Sequence, residues 1–165
     1  MKSPHLLLAS GNPRKLKVEL TGILPATALA AIEADIHRNV KELFRLGGSH
    51  RAFAAGAARR DWRQCTSRLY FGCYAASRAL RLEVSGHFAT DSSDHKKIGD
   101  LPTDFPRREQ FKSQLLTLRE DRNLADYDHT AEEADLVIPV VDAIAIAEDF
   151  FREASNYLTT RRLIL

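Results

Sequence analysis

Between Asp61 and Gly86 the chain repeats an apolar residue every three or four positions: Trp62, Cys65, Leu69, Cys73, Ala76, Leu80 and Val84. That spacing draws one continuous stripe along a helix of six turns and has no counterpart in a strand, where the period is two. Asp61 stands where an N-cap is wanted and Gly86 where a helix stops. A stripe this long must be covered by other elements, and the rest of the chain offers helices to cover it.

Residues 26 to 46 read as an amphipathic helix stopped by Gly47-Gly48, with a short Ala-rich helix following near 50 to 60. Residues 86 to 104 are a long polar connection, of the kind that is often functional or mobile. A further helix starts at about Phe105, with Phe111, Leu115 and Leu118 on its stripe. The last helix covers roughly 131 to 160; Thr130 and Glu133 have the spacing of a capping box, and Pro139 predicts either a kink or a later true start. Outside the opening Leu6–Leu8 run there is no convincing strand. The expected fold is all-α, an up-and-down helical bundle over residues 49–165 with an extra N-terminal helical segment, residues 1–48.

The 165 residues carry a net charge of +2, so the surface as a whole is no magnet for polyanions. Yet 17 of the 24 basic residues are Arg, the side chain suited to forked phosphate contacts. A compositional bias that also enriches Ala explains the same excess. Cys65 and Cys73 fall on the apolar stripe and read as small buried hydrophobes rather than a disulfide or metal pattern. The six His residues are scattered without ligand spacing, so neither a metal nor another cofactor is expected. No segment has the length of a membrane span, and the Leu6–Leu8 run is too short for a signal-peptide core; the expected setting is the cytoplasm, with no membrane partner.

Two stretches resemble known families. Ser10, Gly11, Asn12 and Lys15 resemble the phosphate-binding loop that opens the inosine-triphosphatase family of nucleotide pyrophosphatases. That family needs a long mixed sheet, which this chain lacks, so Ser10-Gly11-Asn12-Pro13 reads as a loop and helix start in which Asn and Pro shape the turn. The broader resemblance is to the HEPN superfamily, in particular its small stand-alone members. It rests on Ser67, Arg68, Tyr70, Ala75, Ala76, Arg78, Ala79 and Leu80 in one helix and on the His95-Lys96 pair in the connection. Leu118, Arg122, Ala125, Asp126 and Tyr127 follow, with Glu133, Ala134, Phe150, Tyr157 and Leu158 towards the end.

What this resemblance implies is specific. Many HEPN proteins are homodimeric, metal-independent endoribonucleases that act as the toxin or defence effector of a two-gene module. A nucleotidyltransferase-like antitoxin restrains them, sometimes by modifying a tyrosine, here Tyr127. Their signature is an Arg, a polar residue and then a His after four to six intervening residues; Arg122-Asn123 and His129 fit it. Arg45 to His50 and Arg81 to His87 satisfy the same pattern, so position within the resemblance, and not the pattern, singles out Arg122 and His129. Cleaving RNA without a metal calls for a base or acid near neutral pH, which His supplies, and a permanent cation for the phosphorane, which Arg supplies.

In this reading Asn123 orients either group and Asp126, four residues on, holds the Arg122 guanidinium; Tyr127 and Arg119 support the site. Arg63 and Arg68, with Arg59 and Arg60, would track an RNA backbone. Positions seven apart return to one helix face, which would align Arg122 with His129 unless the helix ends near Tyr127. The alternatives are a structural Arg122–Asp126 ion pair, an incidental His129, core or interface roles for Tyr70, Tyr74 and Tyr127, and a solvated arginine face. On those alternatives the chain is a non-catalytic HEPN module that pairs with a nucleotidyltransferase-like partner or holds nucleotide or RNA without cutting it.

Overall fold

The computed structural model describes residues 11–57, 61–87 and 92–161. Five α-helices make an all-α bundle: α1 Pro13–Glu19, α2 Ala26–Gly56, α3 Trp62–Ser85, α4 Arg108–Tyr127 and α5 Val140–Thr160. Short 3-10 turns at Ser92–Lys97 and Glu133–Asp135 lie in the α3–α4 and α4–α5 connections, and the described residues contain no strand. The α3 stripe is the spine of the core. Cys65, Leu69, Cys73, Ala76 and Leu80 are buried among Ile32, Ile36 and Val40 of α2, Phe111, Leu115 and Leu118 of α4, and Ala147, Phe150, Ala154 and Leu158 of α5. Because α3 packs against three helices, its opposite faces are buried as well, down to Thr66, Ser67, Ser77, Arg81 and Glu83. Both cysteines are free and buried.

Three local expectations are corrected. Helix α2 does not stop at Gly47-Gly48; it runs unbroken to Gly56, and the separate Ala-rich helix is its last turns. The glycine at 47 serves contact with a neighbour rather than termination. A Cβ at Gly47 would lie 2.7 Å from the Gly72 carbonyl oxygen, and a Cβ at Gly72 would lie 3.1 Å from that of Gly47, so two glycines let α2 and α3 touch backbone to backbone. Helix α4 begins at Arg108 rather than Phe105 because Arg107 adopts a left-handed φ of 51°. That strained residue is held by its guanidinium, which bonds Asp149 and Glu153 of α5.

The Thr130–Glu133 capping box is absent: Thr130 donates its N–H and hydroxyl to Asp128, and the capping box joins Glu132 and Asp135 on the 3-10 turn. Of the two outcomes that Pro139 allowed, the later start is the one observed, with α5 beginning at Val140. The buried Asp121 carboxylate pins the approach, accepting the Val137 and Ile138 N–H groups at 2.9 Å each. At the other end, Gly86 closes α3 in the left-handed conformation as expected. Asp61 sits at the N-cap position of α3 without a side-chain capping bond.

Asn12 accepts the Lys15 N–H as the N-cap of α1 and donates to the Ser85 carbonyl, so the opening loop is a helix start docked on the end of α3. Ser10, and with it the rest of the opening run, lies outside the described residues. Glu33 of α2 and Glu83 of α3 hold Arg14, and Glu33 also takes Lys17, which fastens α1 to both helices.

Candidate functional site

The chemistry-bearing residues gather where the Ser92–Lys97 turn crosses α3 opposite the C-terminal half of α4. Helix periodicity presents Tyr70, Tyr74, Arg78 and Arg81 on one face of α3, one turn apart. Asp94, completely buried, is the common anchor of the last three. Its carboxylate takes both Nη atoms of Arg81 at 2.8 and 3.1 Å, the Tyr74 hydroxyl at 2.7 Å and the Arg78 Nε at 3.3 Å. Burial alone would raise the Asp94 carboxyl, but the Arg81 and Tyr74 hydrogen bonds and the two guanidinium charges outweigh it and hold it below the carboxylate range.

Anchoring Asp94 sets its neighbour His95 against the tyrosines. The imidazole stacks on Tyr74 at 4.4 Å between centroids, and its Nδ1 lies 2.6 Å from the Tyr70 hydroxyl. Burial, then the charge of Arg122, holds His95 below its ordinary value of 6.5, so the ring is neutral at pH 7. Burial pushes the Tyr70 phenol up to about 12, which keeps it a hydroxyl.

Arg122 reaches the same aromatic wall from α4. Its guanidinium carbon lies 5.5 Å from the Tyr70 ring centroid, 5.1 Å from Phe71 and 5.1 Å from Tyr127. The Asp126 carboxylate orients it through Nε at 2.7 Å, while Nη1 donates to Asn123 at 3.2 Å and to the Tyr127 hydroxyl at 3.3 Å. Asp126 in turn accepts a long 3.4 Å bond from Ser67 of α3. The Arg122 side chain keeps 15% of its surface open, against none for Asp94. Arg119, one turn earlier and ion-paired with Glu120, adds its charge to the field on His95.

The sequence-derived candidates therefore divide. Arg122, Asn123, Asp126, Tyr127 and Arg119 share this cluster. His129 does not join it: α4 ends at Tyr127, Asp128 is extended, and His129 lies exposed in the connection, off the helix face it would have shared with Arg122. Arg63 does structural work, donating to the carbonyls of Ala125, Asp128 and Ala131 and so capping the C-terminus of α4. Arg68 faces Phe53 of α2 and lies 3.5 Å from His50 Nδ1. Arg59 and Arg60 lie outside the described residues.

Sequence reasoning missed His95 as the histidine of the cluster. The signal in the chain is the His95-Lys96 pair, to which the resemblance gives a position but no role. Among the described residues no three His, Cys, Asp or Glu side chains come together as metal ligands, and no helix is long and apolar enough to cross a membrane. Compared with protein-family models, with curated proteins and with solved structures, the chain finds no match.

Proposed function

We propose that this chain is a HEPN-type endoribonuclease that cleaves RNA without a metal, and that Arg122 and His95 carry the reaction. The observation that supports the reading is the convergence of a neutral imidazole and a positioned, partly open guanidinium on one aromatic wall, Tyr70 and Phe71. With the imidazole proton on Nδ1, donated to the Tyr70 hydroxyl oxygen, Nε2 presents a lone pair as base. It takes the proton of a ribose 2′-hydroxyl; the 2′-oxygen attacks phosphorus and the bond to the 5′-oxygen breaks. The products are a 2′,3′-cyclic phosphate and a 5′-hydroxyl, whose proton comes from water. Arg122 stabilises the phosphorane oxygens, with Asp126 and Asn123 fixing its fork, and the exposed Tyr127 ring gives a base a surface to stack on.

The resemblance extends the proposal to a homodimer acting as the toxin or defence effector of a two-gene module, restrained by a nucleotidyltransferase-like partner. The open Tyr127 hydroxyl, against Arg122, is where a restraining modification would act. Purified protein incubated with total RNA and tRNA in EDTA, beside Arg122→Ala, tests the enzyme. Cleavage by the wild type alone is expected. The exposed position of His129 favours the second reading, a non-catalytic module that binds RNA, nucleotide or the partner on this face; a folded wild type that cuts nothing selects it.

A further inference from the structure

The Arg122–His95 face does not end at Phe71. The glycine contact that brings α2 against α3 also sets His50 beside that ring: a Cβ at Gly72 would lie 3.6 Å from the His50 Cβ, and the His50 and Phe71 ring centroids are 6.0 Å apart. Phe71, partly exposed, thus has His50 against it from α2, as it has His95 at 6.2 Å from the Ser92–Lys97 turn. About one turn further along α2, and one turn back along α3, the same helix pair brings Phe53 to Arg68. The Arg68 guanidinium carbon lies 5.4 Å from the Phe53 ring centroid, and the Phe53 side remains 58% exposed.

Arg68 is singled out by its lack of a counter-charge. Among the described residues every other arginine pairs with a carboxylate or, as Arg63, is spent on backbone carbonyls. Arg68 meets the Phe53 ring and, through Nη1 at 3.5 Å, His50 Nδ1. None of its nitrogens is a buried atom without a partner, so Nε and Nη2 are open to solvent. Burial, then the charge of Arg68, holds His50 below its ordinary 6.5, so the ring is neutral at pH 7. With Nδ1 accepting from Arg68, the imidazole proton sits on Nε2 as a donor. An unpaired guanidinium, an N–H donor and an open aromatic ring match the three parts of one nucleotide: phosphate, polar edge and base.

We propose that Phe53, Arg68 and His50 form a second nucleotide subsite, which holds an unpaired RNA nucleotide beside the one at the Arg122–His95 face, its base on Phe53 and its phosphate on Arg68. The inference rests on the reading that this face binds RNA. It selects single strands, because a base inside a duplex cannot lie against Phe53. The test is fluorescence anisotropy of the full chain with a labelled six-nucleotide 2′-O-methyl RNA, whose blocked 2′-oxygen prevents cleavage, as a single strand and as a duplex. Saturable, single-strand-preferring binding is expected, weakened roughly tenfold by Phe53→Ala and retained by Phe53→Trp. Arg68→Gln should lower the slope of log affinity against log salt by about 0.7, the value of one lost phosphate contact on a single strand. Both side chains are at least partly exposed, so the variants keep the fold. No saturable binding, tighter binding of the duplex, wild-type affinity in Phe53→Ala or an unchanged salt slope in Arg68→Gln overturns the proposal. Cleavage of the unmodified strand is scored separately: binding that depends on Phe53 without cleavage keeps the subsite and removes the nuclease, and cleavage without dependence on Phe53 does the reverse.

Discussion

Two arginine–carboxylate clusters meet at the Tyr70–Tyr74–His95 stack, and they differ in everything but their chemistry. Asp94 is wholly buried and bonded by Arg81, Tyr74 and Arg78, joining a 3-10 turn to a helix 13 residues away from it at Arg81. Asp126 is an i,i+4 neighbour of Arg122 on one helix, partly open, with a single long bond to α3. A buried charge whose partners span two elements builds structure, because removing it leaves other charges stranded. A pair within one helix that keeps part of its surface open ties no second element down through charge, and leaves an edge of its guanidinium available to a ligand. The difference separates a scaffold that positions His95 from a surface on which Arg122 can act.

This contrast makes definite claims. Asp94→Ala leaves Arg81 buried without its carboxylate, and chemical denaturation should show a loss of about 3–5 kcal/mol, with the His95 face disordered. A gentler test of packing compares adjacent glycines of α2. Gly47→Ala drives a methyl into the Gly72 carbonyl and should cost about 1–3 kcal/mol. Gly48→Ala meets nothing within 4 Å and should gain about 0.5–1 kcal/mol from helix propensity alone.

Acid should act through the histidines. His95 is held below 6.5 by burial and by Arg122 and Arg119, against the opposing charge of Asp94; His50 is lowered by burial and Arg68. The unfolded chain then binds protons at a higher pH than the folded one, so stability is full above pH 6.5 and falls as the pH drops below it. His95→Gln should flatten the melting-temperature profile in that window, and an unchanged slope would remove His95 from its assigned environment. Arg122→Ala removes a largely buried guanidinium from its ion pair and from the Tyr70, Phe71 and Tyr127 rings, and should cost about 1–2 kcal/mol, less than Asp94→Ala. A large loss there would make the pair structural and place both clusters in the same class.

The α3 stripe was readable because burial on one helix face is a periodic property of the sequence itself. Gly47-Gly48 was misread for a physical reason: a glycine that ends a helix and one that admits a neighbouring backbone look alike until Gly72 is seen across from it. The Thr130–Glu133 spacing failed because Asp128 competes for the Thr130 donors at closer range. Arg122, Asn123, Asp126 and Tyr127 lie within two turns of one helix, so their association is local and visible in the chain. His95 meets Tyr70 across 25 residues through a turn anchored by Asp94, and no local pattern encodes that contact.

The decisive measurement is RNA cleavage in EDTA by three well-folded variants, Arg122→Ala, His95→Gln and His129→Ala, beside the wild type. Loss of cleavage in the first two with retention in His129→Ala is the predicted result. Cleavage that survives in Arg122→Ala and His95→Gln, or that is lost in His129→Ala alone, would contradict the assignment of the reaction to the Arg122–His95 face.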